Sequence, residues 1–295
     1  MTPEACGAVL ALASAASWAL ATVLWRNIGE YLTPQAMNLA KTLLGTLFLG
    51  VAVIAVGARP VAPGDLLLLA ISGLLGIAAG DTFYFMSLMG LGPERAALMG
   101  MLTPIGVAVA SAAFLGERPS AAAWAGILLT VAGVALVLSK RSFATTRKIQ
   151  TRGVACALLS GLCMTAGMVF AKRGVPHVPA VQAALIRLAC GGAGLALWGL
   201  LTGKSRLGLA PLARPSLFAQ VAVTVFVTTF GGFWLSLAAL QRLDASLVGA
   251  LCATTPLFVL PMVAWSSNEK ISLRMGLGAA VAVGGVALML VGAHG

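Results

Sequence analysis

Apolar residues fill this chain in ten long runs separated by short polar stretches. The runs lie near 7–25, 36–57, 64–88, 96–115 and 120–139, then 153–173, 181–201, 217–240, 246–265 and 272–292. Each is about long enough to cross a bilayer as a helix, and each is continuously apolar, where a transmembrane strand would be shorter and alternate. The pattern predicts an all-α integral membrane protein of ten transmembrane helices. Short joining loops make neighbouring helices antiparallel.

The runs are not independent. GDTFYFMSLMGLGPERAALMGMLTPIGVAVASAAFLGE, Gly80 to Glu117, is echoed by GFWLSLAALQRLDASLVGALCATTPLFVLPMVAWSSNE, Gly232 to Glu269. One shift of 152 places (Gly80 to Gly232) lays Thr103-Pro104 on Thr255-Pro256, Leu91 on Leu243, Glu117 on Glu269 and Gly133 on Gly285. The early parts correspond at a shift of 146, which lays Arg26 on Lys172 and Lys41 on Arg187. The longer loop Thr202–Ser216 accounts for the difference. A duplicated unit is the frame of the chain. The first repeat spans 1–139, a basic linker 140–152, and the second repeat 153–295. Five spans per unit is odd, so the second unit enters the membrane from the opposite side. The halves form two inverted five-helix repeats, a plan that places a substrate site near the midplane between them.

Composition supports the solvent assignment. Only 9% of the residues are charged, against about 25% in soluble domains. The net charge of +11 resides mainly in short loops, which is a signature of membrane orientation and not of nucleic-acid binding. The face holding both termini carries Arg59, Arg118, Lys172, Arg173 and Arg242. The other carries Arg26, Arg95, Lys140, Arg141, Arg147, Lys148, Arg152, Lys204, Arg206, Arg214, Lys270 and Arg274. This bias predicts a cytoplasmic linker and both termini outside. No basic residue precedes Arg26, and the first run is a full span, so it reads as a retained helix and not a cleaved signal. Cys6, Cys156, Cys163, Cys190 and Cys252 show no CxxC spacing and read as small buried thiols. No metal site, cofactor or nucleotide-hydrolysis motif is expected.

Three ionisable residues fall at membrane depth, where charge is costly: Lys41, Asp81 and Arg187. Asn38, Lys41, Thr42 and Gly45 share one helical face, as do Asp81 and Tyr84. These faces are expected to line a wet cavity. Lys41 or Arg187 would meet a carboxylate of the cargo, and Asp81 would meet an amino group or balance Lys41. The plainer alternative is a structural Lys41–Asp81 pair, or a snorkelling Lys41. Trp18 and Thr22 on the first helix and Trp234 on the eighth are candidate walls. Trp25 is read as an interfacial anchor. Thr103-Pro104 and Thr255-Pro256 remove backbone donors at equivalent places and are read as hinges or exposed polar backbone at the site. Gly73, Gly76 and Gly80 form a close-packing strip. Glu117 and Glu269 are read as helix caps.

The Thr-Pro pairs, with Gly116-Glu117-Arg118-Pro119 before the Gly126–Gly133 helix and Asn268-Glu269-Lys270 before Gly278–Gly285, resemble a ten-helix EamA-type transporter of the drug/metabolite (DMT) superfamily. The resemblance covers essentially the whole chain. It implies a secondary transporter in the bacterial inner membrane, working by alternating access on small polar or amphipathic metabolites, and it suggests export. Two features depart from the pattern. Many relatives are drawn with cytoplasmic termini, and the small multidrug relatives use an acid in helix one, which Gly7–Trp25 lacks. Amino acids are the first expected cargo. A lipophilic-cation exporter is the alternative, and a membrane-embedded lipid enzyme a more remote one that would need a His, Asp or Ser cluster. A non-transporting receptor would not need two matched Thr-Pro breaks. The partners are a small-molecule substrate and the lipid bilayer, with the chain a monomer or homodimer.

Overall fold

The computed structural model describes residues 3–91, 96, 99–100, 102–138, 147–201, 208–252, 254–255, 257–259, 262 and 273–292. Among them the chain is all-helical: α1 (Pro3–Ile28), α2 (Pro34–Val56), α3 (Pro63–Leu91), α4 (Leu102–Phe114), α5 (Ala121–Leu138), α6 (Arg147–Gly174), α7 (Ala180–Leu201), α8 (Pro215–Leu240), α9 (Ala245–Cys252) and α10 (Leu273–Gly292). Local chemistry sets several starts. Proline occupies the first turn of α2, α3 and α8, where a missing N–H costs nothing. Thr33 caps α2 by accepting from Ala36 N at 3.3 Å. Each of the ten expected runs overlaps one of these helices; the run 246–265 lies largely outside the described residues beyond Cys252. α6 begins at Arg147, so the second half of the basic linker is helical.

By length and composition, α1, α2, α3, α7, α8 and the Thr151–Gly174 part of α6 can each cross a bilayer. Burial is reversed from the soluble pattern of large apolar residues inside. Ala11, Ala15 and Ala19 are fully buried, whereas Ile54 is 82% and Leu201 75% exposed. Small residues inside let helix backbones approach closely, and large apolar residues outside face lipid.

The two halves pack on one another with two-fold symmetry. α1 packs on α8 as α6 packs on α3, and α1 on α9 as α6 on α4; α2, α4 and α5 each pack on their own equivalents α7, α9 and α10. The last pair shows the operation atom by atom. A Cβ on Gly133 would lie 2.5 Å from Ala282 N and 2.7 Å from Gly278 O. A Cβ on Gly285 would lie 2.6 Å from Thr130 N and 2.7 Å from Gly126 O. Each contact maps onto the other under the 152-place shift, as an isologous interface requires. Gly126 faces Gly285 while Gly133 faces Gly278, so equivalent helices run antiparallel and the repeats are inverted. Side-chain bonds repeat as well: Ser14 Oγ donates to Gly232 O and Ser160 Oγ to Gly80 O, both at 2.9 Å.

Two expectations are corrected. Trp25 is no interfacial anchor: it is 2% exposed, stacks edge-on against Phe85 at 5.5 Å, and donates Nε1–H to Thr228 Oγ1 at 3.3 Å. The indole is consumed in packing α1 against α3 and α8. The five cysteines are only half-buried thiols.

The glycine contacts carry a symmetric prediction. Gly133→Val and Gly285→Val must each push α5 and α10 apart, at about 1–3 kcal/mol each. Apparent melting temperatures of the detergent-purified variants should fall by similar amounts.

Candidate functional site

A cavity of about 300 Å³ lies between the repeats, walled by α1, α3, α4, α6, α8 and α9, with Arg187 of α7 reaching into it. Its walls are chemically unequal because equivalent positions differ. Trp18, Thr22, Asp81 and Tyr84 come from the first repeat; their counterparts, Met164, Met168, Phe233 and Ser236, also line it. One wall is polar and aromatic, the other largely apolar.

Asp81 lies at the end of a segment of α3, Gly73–Asp81, where the helix widens to π turns. α8 widens at the equivalent place, Val227–Trp234. Such turns leave carbonyls that neighbours must satisfy. Asn38 of α2 does this, donating Nδ2–H to Ile77 O at 2.8 Å and to Thr82 Oγ1 at 2.9 Å. Asn38 therefore supports the site from behind and does not line the cavity.

Lys41 also lies behind the wall. It is 1% exposed and its Nζ donates to Asp81 Oδ2 in a buried ion pair. The ammonium sits 5.6 Å from the ring centre of Phe85 and 5.3 Å from that of Phe233, within cation–π range. Asp81 thus presents its carboxylate to the cavity already balanced by Lys41.

Arg187 is different. It is 9% exposed and lines the cavity, and among the described residues its Nε has no hydrogen-bond partner. Close packing places it: a Cβ on Gly73 would lie 2.2 Å from Arg187 O, so only glycine lets α3 and α7 meet there. A buried guanidinium with an unused donor is costly unless an anion meets it.

The other expected residues divide. Trp18 lines the cavity, edge-on to Phe233 at 5.1 Å, and Gly232 makes room for its indole. Thr22 lines it while its hydroxyl donates to Trp18 O at 2.8 Å. Tyr84, Thr103, Pro104 and Thr255 line it too; Pro256 lies outside the described residues. Trp234 does not line it: it is 39% exposed on the outer face, its ring against Phe230. Sequence reasoning missed the π turns and Met164, Met168 and Phe233. The repeat alignment held the signal, since these residues stand opposite Trp18, Thr22 and Asp81.

Near Leu240, which lines the cavity, side chains of both repeats are tied together. Glu117 caps a helix of the other repeat: its carboxylate accepts from Ala245 N (2.8 Å), Ser246 N (3.2 Å) and Ser246 Oγ (2.9 Å) at the start of α9. Lys172 Nζ donates to the carbonyls of Leu240 (2.9 Å) and Leu243. Arg173 donates to Phe114 O. These contacts join α4, α6, α8 and α9 at one face. Asp244, in the α8–α9 loop, is held above the ordinary aspartate pKa by burial first and by Glu117 second, with Lys172 opposing.

The EamA-like transporter family matches residues 5–139 and again residues 151–291. The chain is 28% identical to the uncharacterized inner membrane transporter YhbE of Escherichia coli (strain K12), across 97% of this chain and 91% of that protein. The YhbE proteins of Escherichia coli O157:H7 and Shigella flexneri match equally. A crystal structure of a protein 22% identical superposes with a TM-score of 0.75 over 97% of both chains, which shows the same fold.

Two outcomes follow from this geometry. Removing one member of the buried pair, by Lys41→Ala or Asp81→Leu, should cost about 3–5 kcal/mol, while Lys41→Met with Asp81→Leu should recover most of it; melting of the purified variants reads this. Asp244 binds its proton more tightly folded than unfolded, so its charged form is destabilising above its folded pKa, and the penalty fades as pH falls through that value. Asp244→Asn should therefore raise the melting temperature at neutral pH, with the gain shrinking toward about pH 4.

Proposed function

The chain belongs to the EamA-like transporter family, and from that premise we propose that it carries small amphipathic metabolites bearing a carboxylate, amino acids first among them. Membrane transport is the family's activity, and the many apolar helices make this a multi-pass membrane protein. The substrate reading rests on one observation. Lys41 is paired with Asp81, whereas Arg187 faces the cavity with an unpartnered Nε. The three groups sum to one positive charge. A carboxylate meeting the Arg187 guanidinium neutralises the site, with a charge-assisted bond of the stronger kind. The ammonium of a zwitterion then faces Asp81, and its apolar part rests against Met164, Met168 and Phe233. A net positive cavity disfavours the lipophilic cations of a multidrug exporter.

The two repeats, 1–139 and 153–295, are the bodies that rock about the two-fold axis, joined by the linker 140–152, and the matched Thr-Pro pairs and π turns supply the bending points. The Glu117–Ser246 contacts support one gate at that face, and alternate closure of the other end completes the cycle. Both repeats of a single chain line the cavity among the described residues, which supports a monomer as the working unit. The bias of the loop charges supports both termini outside and the linker in the cytoplasm. The name of the YhbE relatives supports the inner membrane. We assign export as the direction, following the resemblance, with an ion or cargo gradient as the energy source.

Counterflow of labelled L-leucine in proteoliposomes tests the reading. Arg187→Gln should lower it by about tenfold or more, as expected for a lost charge-assisted bond. Lys41→Met with Asp81→Leu tests the second contact and should weaken L-leucine more than its deaminated analogue 4-methylpentanoate. Wild-type rates in Arg187→Gln, or no counterflow of either compound by the unmodified protein, would sink the carboxylate assignment.

A further inference from the structure

Inverted repeats bring equivalent residues to opposite faces, so each contact at one face names the residues that would have to make it at the other. At the Glu117 face, two contacts join the repeats. The Glu117 carboxylate of the first repeat accepts from Ala245 N, Ser246 N and Ser246 Oγ of the second. Arg173 of the second repeat donates to Phe114 O, at the last residue of α4 in the first. At the linker face the repeat shifts supply Glu269 for Glu117, but Pro93 for Ala245, Glu94 for Ser246 and Asn27 for Arg173. Proline has no N–H to donate. A glutamate repels Glu269 where serine offers Glu117 a hydroxyl. Asn27 is exposed and brings no positive charge to the end of a helix. Pro93, Glu94 and Glu269 lie outside the described residues; their chemistry alone removes two of the three donors that Glu117 uses.

The cavity is lopsided in the same sense. Ala96, Ala157 and Ser160, toward the linker face, line it. Their counterparts toward the Glu117 face, Val248, Ala11 and Ser14, do not, and each is fully buried. Leu240 runs the other way, since its counterpart Leu88 does not line the cavity. We propose that the Glu117 contact with α9, helped by Arg173 on α4, is a one-sided lock: it holds the Glu117 face shut when no cargo is bound and, having no equal at the linker face, sets the resting carrier open there. This rests on the reading of the chain as an alternating carrier and is independent of the cargo's chemistry. The physical cause is a population bias. Opening the Glu117 face breaks hydrogen bonds to a carboxylate and uncaps the first turn of α9, whereas closing the linker face regains fewer. The state with fewer unmet donors is the more populated one. Cargo is then met first from the linker face, the order that export requires.

The test reads which end is open without any cargo. The five native cysteines are changed to alanine, and a single cysteine is placed at one of two matched positions, Ala157→Cys or Ala11→Cys. Reaction with a water-soluble anionic methanethiosulfonate is timed on detergent-purified protein. Ala157→Cys should react about tenfold or more faster than Ala11→Cys. Glu117→Ala, and more weakly Ser246→Ala, should speed Ala11→Cys by about tenfold, while Glu269→Ala should change neither rate. Pro93→Ala with Glu94→Ser gives Glu269 the donors it lacks. That pair should speed Ala11→Cys and slow Ala157→Cys, and adding Glu269→Ala should cancel the effect. Equal rates at the two positions in the parent, no gain at Ala11→Cys in Glu117→Ala, or an equal gain in Glu269→Ala overturns the lock. So do unchanged rates in the Pro93–Glu94 variant, which keeps Glu117 and decides the matter alone should Glu117→Ala fail to stay folded. If neither rate moves in any variant, the chain does not alternate and the carrier reading has failed too. If the rates follow the Pro93–Glu94 variant and ignore Glu117→Ala, alternation stands and the lock falls.

Discussion

Charge buried away from water has to be answered, and this molecule answers it unevenly. Lys41, Asp81 and Arg187 are all withdrawn from solvent, two bases against one acid. The acid goes to Lys41, held at Asp81 by the ion pair and by two phenyl rings. Arg187 lines the cavity with its Nε buried and, among the described residues, without a hydrogen-bond partner. In hydrocarbon, where water cannot pay the difference, that residue charge is the strongest directional feature of the interior. The supports around it follow from the same requirement: Asn38 serves a carbonyl at the π turn, and serines cross-link the halves.

Such a site needs the two halves to be close and inverted. Glycine makes the approach possible where α3 meets α7 and where α5 meets α10, since any side chain there would enter a neighbouring backbone. Large apolar residues are consequently displaced outward to lipid. The duplicated frame also makes departures from symmetry informative. Where equivalent residues agree, as with Ser14 and Ser160, they hold the frame together. Where they differ, as with Asp81 and Phe233 or Trp18 and Met164, they give the cavity its polar and apolar walls.

Much of this is readable along the chain. Continuous apolar runs, scarce charge and the constant shift identify ten helices in two repeats, because lipid admits few solutions and a bilayer sets their length. Lys41, Asp81 and Arg187 stand out for the same reason: a charge in an apolar run is conspicuous in one dimension. Their roles are not. The order of residues offers the Lys41–Asp81 pair only as one of two readings, and it does not say that Arg187 Nε lacks a partner among the described residues, that Asn38 and Lys41 stand behind the wall, or that Trp25 is buried while Trp234 turns outward. Those outcomes depend on helix rotation, and a helix apolar on every side carries little periodic signal of which face turns in.

The sequence alone therefore determined the medium, the helices, the duplication and the small set of ionisable residues, since these follow from hydropathy and covalent order. Tertiary structure alone decided the partnerships. The Lys41–Asp81 pair joins two helices of one repeat, burial arises where the repeats meet, and the distances that set those energies exist only once the helices have packed on each other.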